Sequence, residues 1–168
     1  IKAGTLKVDS SSLSSLTALI VDAGAYLSSH DVNLTVGSIA GAGTLAIAGP
    51  SGGSVALTAG GDNTTTTFSG VIQGLDHPSN VGLVKNGTGN LTLSGNNTYA
   101  RGTEITGGMI VAGHNNALGT GSVTLNGGGL SVASGVTLTN SLIFSGTANV
   151  LAGNKNDDEW LLLDVTPL

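Results

Sequence analysis

The sequence "GTGNLTLSGNNTY" at residues 87–99 contains two leucines that alternate with polar residues. Successive side chains of a β-strand point to opposite faces, so we expect Leu91 and Leu93 to face a core while Thr92 faces outward. Glycine and asparagine flank this pair, and both adopt the backbone angles of tight corners at little steric cost. The stretch therefore predicts a very short strand between two corners, and it offers no evident acid, base or nucleophile for catalysis.

The same period-two alternation recurs at five other places, and each predicts a short strand with both aliphatic side chains inward. The pairs are Leu6/Val8, Leu45/Ile47, Val123/Leu125, Leu130/Val132 and Val136/Leu138.

A different pattern occurs at residues 9–22, "DSSSLSSLTALIVD", where apolar residues three or four apart are compatible with a helix. The serine-rich start and the β-branched end favour a loop that leads into a strand at residues 17–22. We therefore predict loop and strand here rather than a helix.

A phrase of glycine, any residue, aliphatic, any residue, aliphatic recurs along the chain. Clear copies are "AGTLKV" from Ala3, "AGTLAI" from Ala42 and "TGNLTL" from Thr88, and looser ones begin at Thr120 and Gly127. The clear copies are about 39 and about 46 residues apart, which suits two coils of about 20 residues in each interval. Such repeats indicate a solenoid, and we predict an all-β, parallel β-helix with three short strands per coil. Asparagines stacked at its corners would form ladders, with candidates Asn86, Asn90, Asn96, Asn97, Asn115 and Asn116.

Composition narrows the class of protein further. The 168 residues include 28 glycines, and only 9% are charged against about a quarter in a typical soluble domain. The net charge is −5, and the five basic residues are scattered singly, which argues against nucleic-acid binding. No apolar run approaches the length of a membrane helix, and no cysteine is present. The chain begins inside a strand pattern, so we expect it to be a piece of a longer protein.

Residues 82–128 resemble the passenger-associated transport repeat of Gram-negative autotransporters. The family phrase places glycines, leucines, a lysine, an asparagine and a tyrosine at fixed spacing, and Arg101 stands where a second glycine is common. The matching positions are Gly82, Leu83, Lys85, Gly87, Gly89, Leu91, Leu93, Gly95, Asn97, Tyr99, Gly102, Thr103, Gly107, Gly108, Asn116, Ala117, Leu118 and Gly119. The runs "LIVDAGAYLSSHDVNLTVGSIAGAGTLAI" and "TTTFSGVIQG" are similar to other autotransporter phrases, so the resemblance covers about residues 1–153.

The resemblance implies a right-handed β-helical passenger segment that is secreted or displayed on the surface of a Gram-negative bacterium. It also implies a partner, the protein's own C-terminal β-barrel translocator, which these residues do not include. A chain without cysteines cannot be trapped by disulfides before it threads a pore, and a low charge density limits electrostatic barriers along it. A solenoid can fold coil by coil, so local folding could help to draw the chain outward.

Residues 154–168, "NKNDDEWLLLDVTPL", form a tail of different character, with four of the ten acidic residues and the only tryptophan. The last eight residues resemble the interdomain linker of DnaK-type chaperones, although nothing else in the chain does. Two hypotheses stay open. The tail is either an appended peptide or a native strand at residues 160–165 that caps the last coil, since the end of a β-helix exposes unpaired strand edges.

The acidic and histidine residues provide no catalytic or metal-binding pattern. A glycosidase needs two carboxylates about 5 to 10 Å apart, and neighbours on an extended chain point to opposite faces. We therefore interpret these residues as solvated turn residues: Asp62, Asp76, His77, Asp157, Asp158, Glu159, His30 and His114. The single aspartate of "AGGDNTTT" does not support a calcium site, and the uneven threonines at 64–67 do not support ice binding. Five N-x-S/T sequences are interpreted as chance, at Asn33, Asn63, Asn86, Asn90 and Asn96.

The sequence thus predicts no catalytic, cofactor or metal site and no enzyme activity. The leading hypothesis is a structural stalk that aids secretion and holds a more distal module away from the cell. The alternative is an adhesin segment that binds host or neighbouring cell surfaces or associates with itself, for which a long irregular insertion would be typical. The longest irregular stretch is predicted at residues 73–80. A polysaccharide-active β-helix enzyme is the third hypothesis.

Overall fold

The computed structural model of the chain describes residues 1–8, 13–153 and 160–165. Eighteen strands make up almost all of its regular structure, and one short 3-10 turn lies at Pro78–Asn80. No helix in the described residues is long and apolar enough to span a membrane. The strands are β1 Thr5–Val8, β2 Ala18–Val21, β3 Tyr26–His30, β4 Leu34–Val36, β5 Ser38–Gly41, β6 Thr44–Ala48, β7 Val55–Ala59, β8 Thr66–Phe68, β9 Val71–Leu75, β10 Val81–Lys85, β11 Asn90–Leu93, β12 Gly102–Ile105, β13 Met109–Ala112, β14 Val123–Leu125, β15 Gly129–Val132, β16 Leu142–Phe144, β17 Ala148–Gly153 and β18 Trp160–Val165.

The strands form three sheets, and consecutive strands of one turn belong to different sheets. The orders are β1-β3-β6-β9 in the first sheet, β16-β14-β12-β10-β7-β4 in the second, and β18-β17-β15-β13-β11-β8-β5-β2 in the third. All pairings except β17 with β18 are parallel. The third sheet therefore contains seven parallel strands, one for each turn of the solenoid. The predicted all-β parallel solenoid is confirmed.

The core runs along the axis of the solenoid and consists almost entirely of aliphatic side chains. In β11, Leu91 and Leu93 are buried while Thr92 between them is partly exposed. The same alternation holds in β14, where Val123 and Leu125 are buried, whereas in β6 the small Ala46 is buried together with Leu45 and Ile47. These side chains pack against those of the turns before and after. Their burial is the main favourable contribution to stacking.

Two strand predictions need correction. Val136 and Leu138 lie in an irregular segment and not in a strand, because the backbone N–H of Thr137 donates to the side-chain Oδ1 of Asn115 (2.9 Å) instead of to a neighbouring strand. Leu6 is in a strand as predicted, but it is 43% exposed because β1 is an edge strand of the first sheet. The predicted entry into a strand near residue 17 is confirmed by β2, and residues 9–12 lie outside the described residues.

The recurring glycine phrase does not mark one position of the repeat. The copies at Ala3 and Ala42 lead into β1 and β6, which lie two turns apart in the first sheet, as predicted. The copy at Thr88 leads into β11 of the third sheet, so the second interval does not connect equivalent positions. The phrase is typical of any corner that leads into a strand, because every corner of the solenoid requires a tight turn of the backbone.

A column of glycines forms one corner in three successive turns. A Cβ added to Gly70 would lie 1.9 Å from the backbone oxygen of Gly43, and a Cβ added to Gly95 would lie 1.8 Å from that of Gly70. Real Cβ atoms do not approach oxygen this closely, so only glycine allows the turns to stack at this corner. Gly95 belongs to the stretch at residues 87–99.

The first sheet ends at β9, and the face that it forms continues without strands. Residues 94–101, 113–122 and 133–141 cover this face in the following turns. Among the described residues, the longest irregular stretch is thus residues 113–122. The prediction of residues 73–80 is wrong because residues 71–75 belong to β9 and Pro78–Asn80 to the 3-10 turn. We call residues 94–101, 113–122 and 133–141 the irregular face, and the first sheet the regular face.

The end of the described chain departs from the parallel pattern. Strand β18 pairs antiparallel with β17, with Ala148 opposite Val165 and Gly153 opposite Trp160. Residues 154–159, which include Asp157, Asp158 and Glu159, lie outside the described residues. This pairing is compatible with a capping strand, and the appended-peptide and native-cap hypotheses both stay predictions that mass spectrometry of the native gene product would separate.

Candidate functional site

Asn97 connects three turns through its side-chain amide. The backbone N–H of Ile72 in β9 donates to Asn97 Oδ1 (2.8 Å), and Asn97 Nδ2 donates to the backbone oxygen of Ala117 in the next turn. The Asn97 backbone N–H donates to Asn116, and Thr98 N–H donates to the oxygen of Ile72. Because the side chain is 1% exposed, its amide replaces a peptide group in the ladder where the regular face ends.

Tyr99 fills the core beside Asn97 and belongs to a short hydrogen-bond chain. Its phenol oxygen lies 2.7 Å from Thr103 Oγ1, and the Thr103 hydroxyl lies 3.1 Å from the backbone oxygen of Leu118, to which it can donate. Tyr99 and Thr103 are both buried. Burial raises the pKa of Tyr99 well above its ordinary value, and the hydrogen bond with Thr103 only partly opposes this rise. Gly119 lies against the ring, since a Cβ there would be 2.9 Å from Tyr99 Cδ2.

Lys85 occupies a core-facing position at the end of β10 and is 1% exposed. Its ammonium group donates to the backbone oxygens of Asn86, Gly87 and Gly107. Burial lowers the pKa of Lys85, while the negative charge of Asp62 opposes this change. Four buried polar side chains thus lie within two consecutive turns: Lys85, Asn97, Tyr99 and Thr103.

Among the six candidates for the predicted asparagine ladder, the structure shows one contact between two asparagine side chains. Asn116 Nδ2 donates to Asn96 Oδ1 (2.8 Å) between adjacent turns, while Asn97 and Asn115 bond to backbone groups. Asn86 Oδ1 is buried and has no partner among the described residues, and the side chain of Asn90 is exposed. Asparagine side chains therefore support the irregular face, mostly by bonding to backbone rather than to each other.

A shallow polar cleft of about 190 Å³ crosses the outer surface of the second sheet. It lies over Gly82 and Gly102, which are register partners in β10 and β12 and have no side chains to fill it. Arg101 and Glu104 line it together with Ser122 and Thr124. Asn126 Nδ2 donates to Glu104 Oε1 (3.1 Å), which orients this carboxylate at the surface.

The acidic and histidine residues considered from the sequence lie apart in local turn contacts. Asp62 Oδ1 accepts hydrogen bonds from the N–H (3.0 Å) and hydroxyl (2.8 Å) of Thr64. Asp76 adopts a left-handed backbone conformation with φ 53°, and His77 next to it is exposed. His30 Nε2 lies 3.0 Å from Ser28 Oγ, and His114 Nδ1 accepts from Asn116 N–H (3.0 Å). Within the described part of the chain, no three such residues come together as a metal-binding group would require.

In the sequence, the four buried polar residues stand out only as motif positions or corner residues. A signal was present for Lys85, since it takes the third place in the alternation of Val81 and Leu83, where an aliphatic residue is expected. The sequence contains no comparable signal for the hydrogen bonds of Asn97 and Thr103, whose partners are 15 to 25 residues away.

Comparison with known proteins places these residues in a family context. Residues 83–112 match the model of the passenger-associated transport repeat, within the predicted region 82–128. The chain is 32% identical over 127 residues to the adhesin BmaC autotransporter of Brucella suis biovar 1, which covers 71% of this chain and 4% of that relative. No solved structure matches the chain. The chain spans only a small part of this relative.

A short segment has a second relationship, as the resemblance of the tail predicted. Twenty-one residues (12% of the chain) are 90% identical to HscA chaperone homologs of Chromobacterium violaceum and Neisseria meningitidis serogroup B, of which they cover 3%. The repeat match and the long match support an autotransporter passenger β-helix segment that is related to an adhesin autotransporter and contains a passenger-associated transport repeat.

Proposed function

We propose that this segment is a non-enzymatic structural stalk that stacks into a solenoid during export and so aids secretion and surface display. The observation that carries the proposal is the position of the transport repeat. Its residues 83–112 contain Lys85, Asn97, Tyr99 and Thr103, and their hydrogen bonds connect turns that the ladder of the regular face no longer connects.

The chemistry of the turns supports a stacking role. Each turn contacts its neighbours through a parallel ladder and a shared aliphatic core, so a newly exported turn can fold as soon as one neighbour is present. Folding outside the membrane opposes return of the chain through the pore, because return would require the turn to unfold. The partner implied by this role is the translocator domain of the same protein, and the expected location is the cell surface or the medium of a Gram-negative bacterium.

The experiment removes one complete turn from the full-length protein. Deletion of residues 94–112 leaves the ladder in register, because Leu93 and Ala112 are register partners. Deletion of residues 22–41 is the matched control, since Val21 and Gly41 are register partners in a turn outside the repeat. We expect the first deletion to reduce surface-exposed passenger, measured by protease accessibility on intact cells, far more than the second. Equal secretion of the two variants, or normal secretion after deletion of residues 82–128, would contradict the proposal.

An adhesive role is the second candidate, and the name of the related Brucella adhesin favours it. The polar cleft with Arg101 and Glu104 is the surface on which such a role would depend. We expect an adhesive segment to bind host cells as a purified fragment and to lose binding in the double variant Arg101→Ala and Glu104→Gln. The control variant Lys7→Ala changes an exposed charge on β1 and should bind normally. Absence of binding by the purified fragment would contradict this role.

A further inference from the structure

Lys85 is a charged residue at a core position where its register partners in the two adjacent strands, Ala59 in β7 and Ile105 in β12, are aliphatic. Strand β10 alternates Val81, Leu83 and Lys85 toward the inside, and all three are buried. No carboxylate among the described residues forms an ion pair with Lys85. Burial of an unpaired charge is costly, so the ammonium group must have strong partners at this place.

The partners are corner carbonyl groups of two successive turns. Nζ lies 3.3 Å from the oxygen of Gly87 in its own turn and 3.3 Å from that of Gly107 in the next turn, and it also donates to Asn86. Gly87 has φ 66° and Gly108 has φ 58°, conformations that only glycine adopts readily and that turn the chain at this corner. Among the described residues, Lys85 is the only hydrogen-bond donor to these three oxygens.

The site is complete only after the next turn has docked. Lys85 is the register partner of Ile105 in β12, and Gly107 follows two residues later. A Cβ on Gly108 would lie 3.0 Å from Nζ, so the glycine there leaves the space that the ammonium group occupies. Before residues 102–108 dock, the ammonium group lacks the oxygen of Gly107 and remains accessible to water.

We propose that Lys85 couples the docking of residues 102–108 to the folding of residues 81–87, so that these two turns form as one cooperative unit. Lys85 is a positioning residue in this role. The three carbonyl groups and the ammonium group need each other, because either partner alone would be buried without hydrogen bonds. The inference rests on the proposed stacking function and gives the transport repeat a specific step within it.

The absence of cysteine from the chain allows a test by chemical substitution. The variant Lys85→Cys has a single thiol, which is alkylated in denaturant either with 2-bromoethylamine or with 1-bromopropane. The first adduct has the length and charge of lysine, and the second has the same length and no charge. Both proteins are then refolded, and hydrogen exchange is measured at the amides of residues 102–112 and of β6, which lies in the turn before that of Lys85 and so on its other side.

We expect the charged adduct to restore the exchange of the parent chain. The neutral adduct should exchange roughly tenfold faster or more in residues 102–112 with a smaller change in β6, because three buried carbonyl groups lose their donor. The same two adducts of Lys7→Cys, at an exposed position of β1, are the matched control and should be alike. If the two Lys85→Cys adducts behave alike, whether folded or unfolded, or if β6 and residues 102–112 change equally, the proposal is wrong. The assay needs no membrane, so its failure would leave the export proposal to the turn-deletion experiment.

Discussion

The regular and irregular faces of this solenoid cover the same side of the core by different means. On the regular face, β1, β3, β6 and β9 pair through backbone hydrogen bonds in an unbroken parallel ladder. On the irregular face, side-chain amides take over part of this pairing, as Asn97 does between Ile72 and Ala117. A ladder needs no particular side chain, whereas the irregular face depends on individual residues. The comparison therefore predicts that single substitutions lower the free energy of unfolding more on the irregular face than on the regular face.

The largest effect is expected at the glycine column, where the two faces meet. Gly95→Ala places a Cβ 1.8 Å from the oxygen of Gly70, a backbone atom that cannot move without displacing the neighbouring turn. We expect the free energy of unfolding to fall by about 4 kcal/mol, measured by urea denaturation.

Gly52→Ala is the matched control, because a Cβ at Gly52 meets nothing within 4 Å. Its free energy of unfolding should change by less than about 0.5 kcal/mol. Similar losses in the two variants would mean that the column does not limit the stacking distance.

The next effect is expected at the junction of the two faces. Asn97→Ala leaves the N–H of Ile72 and the oxygen of Ala117 buried without their partner, and this should lower the free energy of unfolding by about 3 kcal/mol. Asn96→Ala is the control. Asn96 is the exposed neighbour, and water can replace its side-chain hydrogen bond with Asn116. A loss at Asn96 as large as that at Asn97 would show that burial does not determine how much these side-chain amides contribute to the free energy of unfolding.

A smaller effect is expected at Tyr99. The direction in which stability changes with pH follows from the burial of this side chain. Tyr99→Phe removes one hydrogen bond while Thr103 keeps its contact with Leu118, so we expect a loss of about 1 kcal/mol at neutral pH. The pKa of Tyr99 is raised in the folded chain. Below about pH 10 both states keep the phenol proton, and above it the unfolded chain releases the proton first, so stability falls as pH rises.

The pH prediction is tested by urea denaturation of the parent and of Tyr99→Phe between pH 9 and pH 11, roughly the window in which a tyrosine titrates in the unfolded state. The pKa of Lys85 is lowered by burial, so its titration raises stability with pH below about 10.5 and acts in the opposite direction. Comparison of the two proteins at each pH removes this contribution, because both contain Lys85. The difference between them should shrink or reverse at the alkaline end, and a constant difference would contradict the buried phenol.

The sequence predicts the regular face better than the irregular one for a physical reason. Alternation in "TLAIA" at β6 is a local property of the chain, so Leu45 and Ile47 were recognisable as core residues without knowledge of the fold. Val136 and Leu138 show the same alternation, yet their segment pairs with a side chain of the preceding turn. The group that pairs with a backbone N–H in the next turn depends on the register between turns. The local sequence pattern does not determine this register. For the same reason, the copies of the glycine phrase could not be assigned to one sheet.

The smallest effect is expected where the irregular face is open to water. Asn115→Ala removes the Oδ1 that accepts the N–H of Thr137, and both residues are exposed. Water can replace this acceptor, so the free energy of unfolding should change by less than about 0.5 kcal/mol, while hydrogen exchange at the Thr137 amide becomes faster. A loss comparable to that of Asn97→Ala would contradict the distinction between buried and exposed amides. The irregular face would then depend on every asparagine equally, and the special position of the transport repeat, which includes Asn97 but not Asn115, would lose its structural basis.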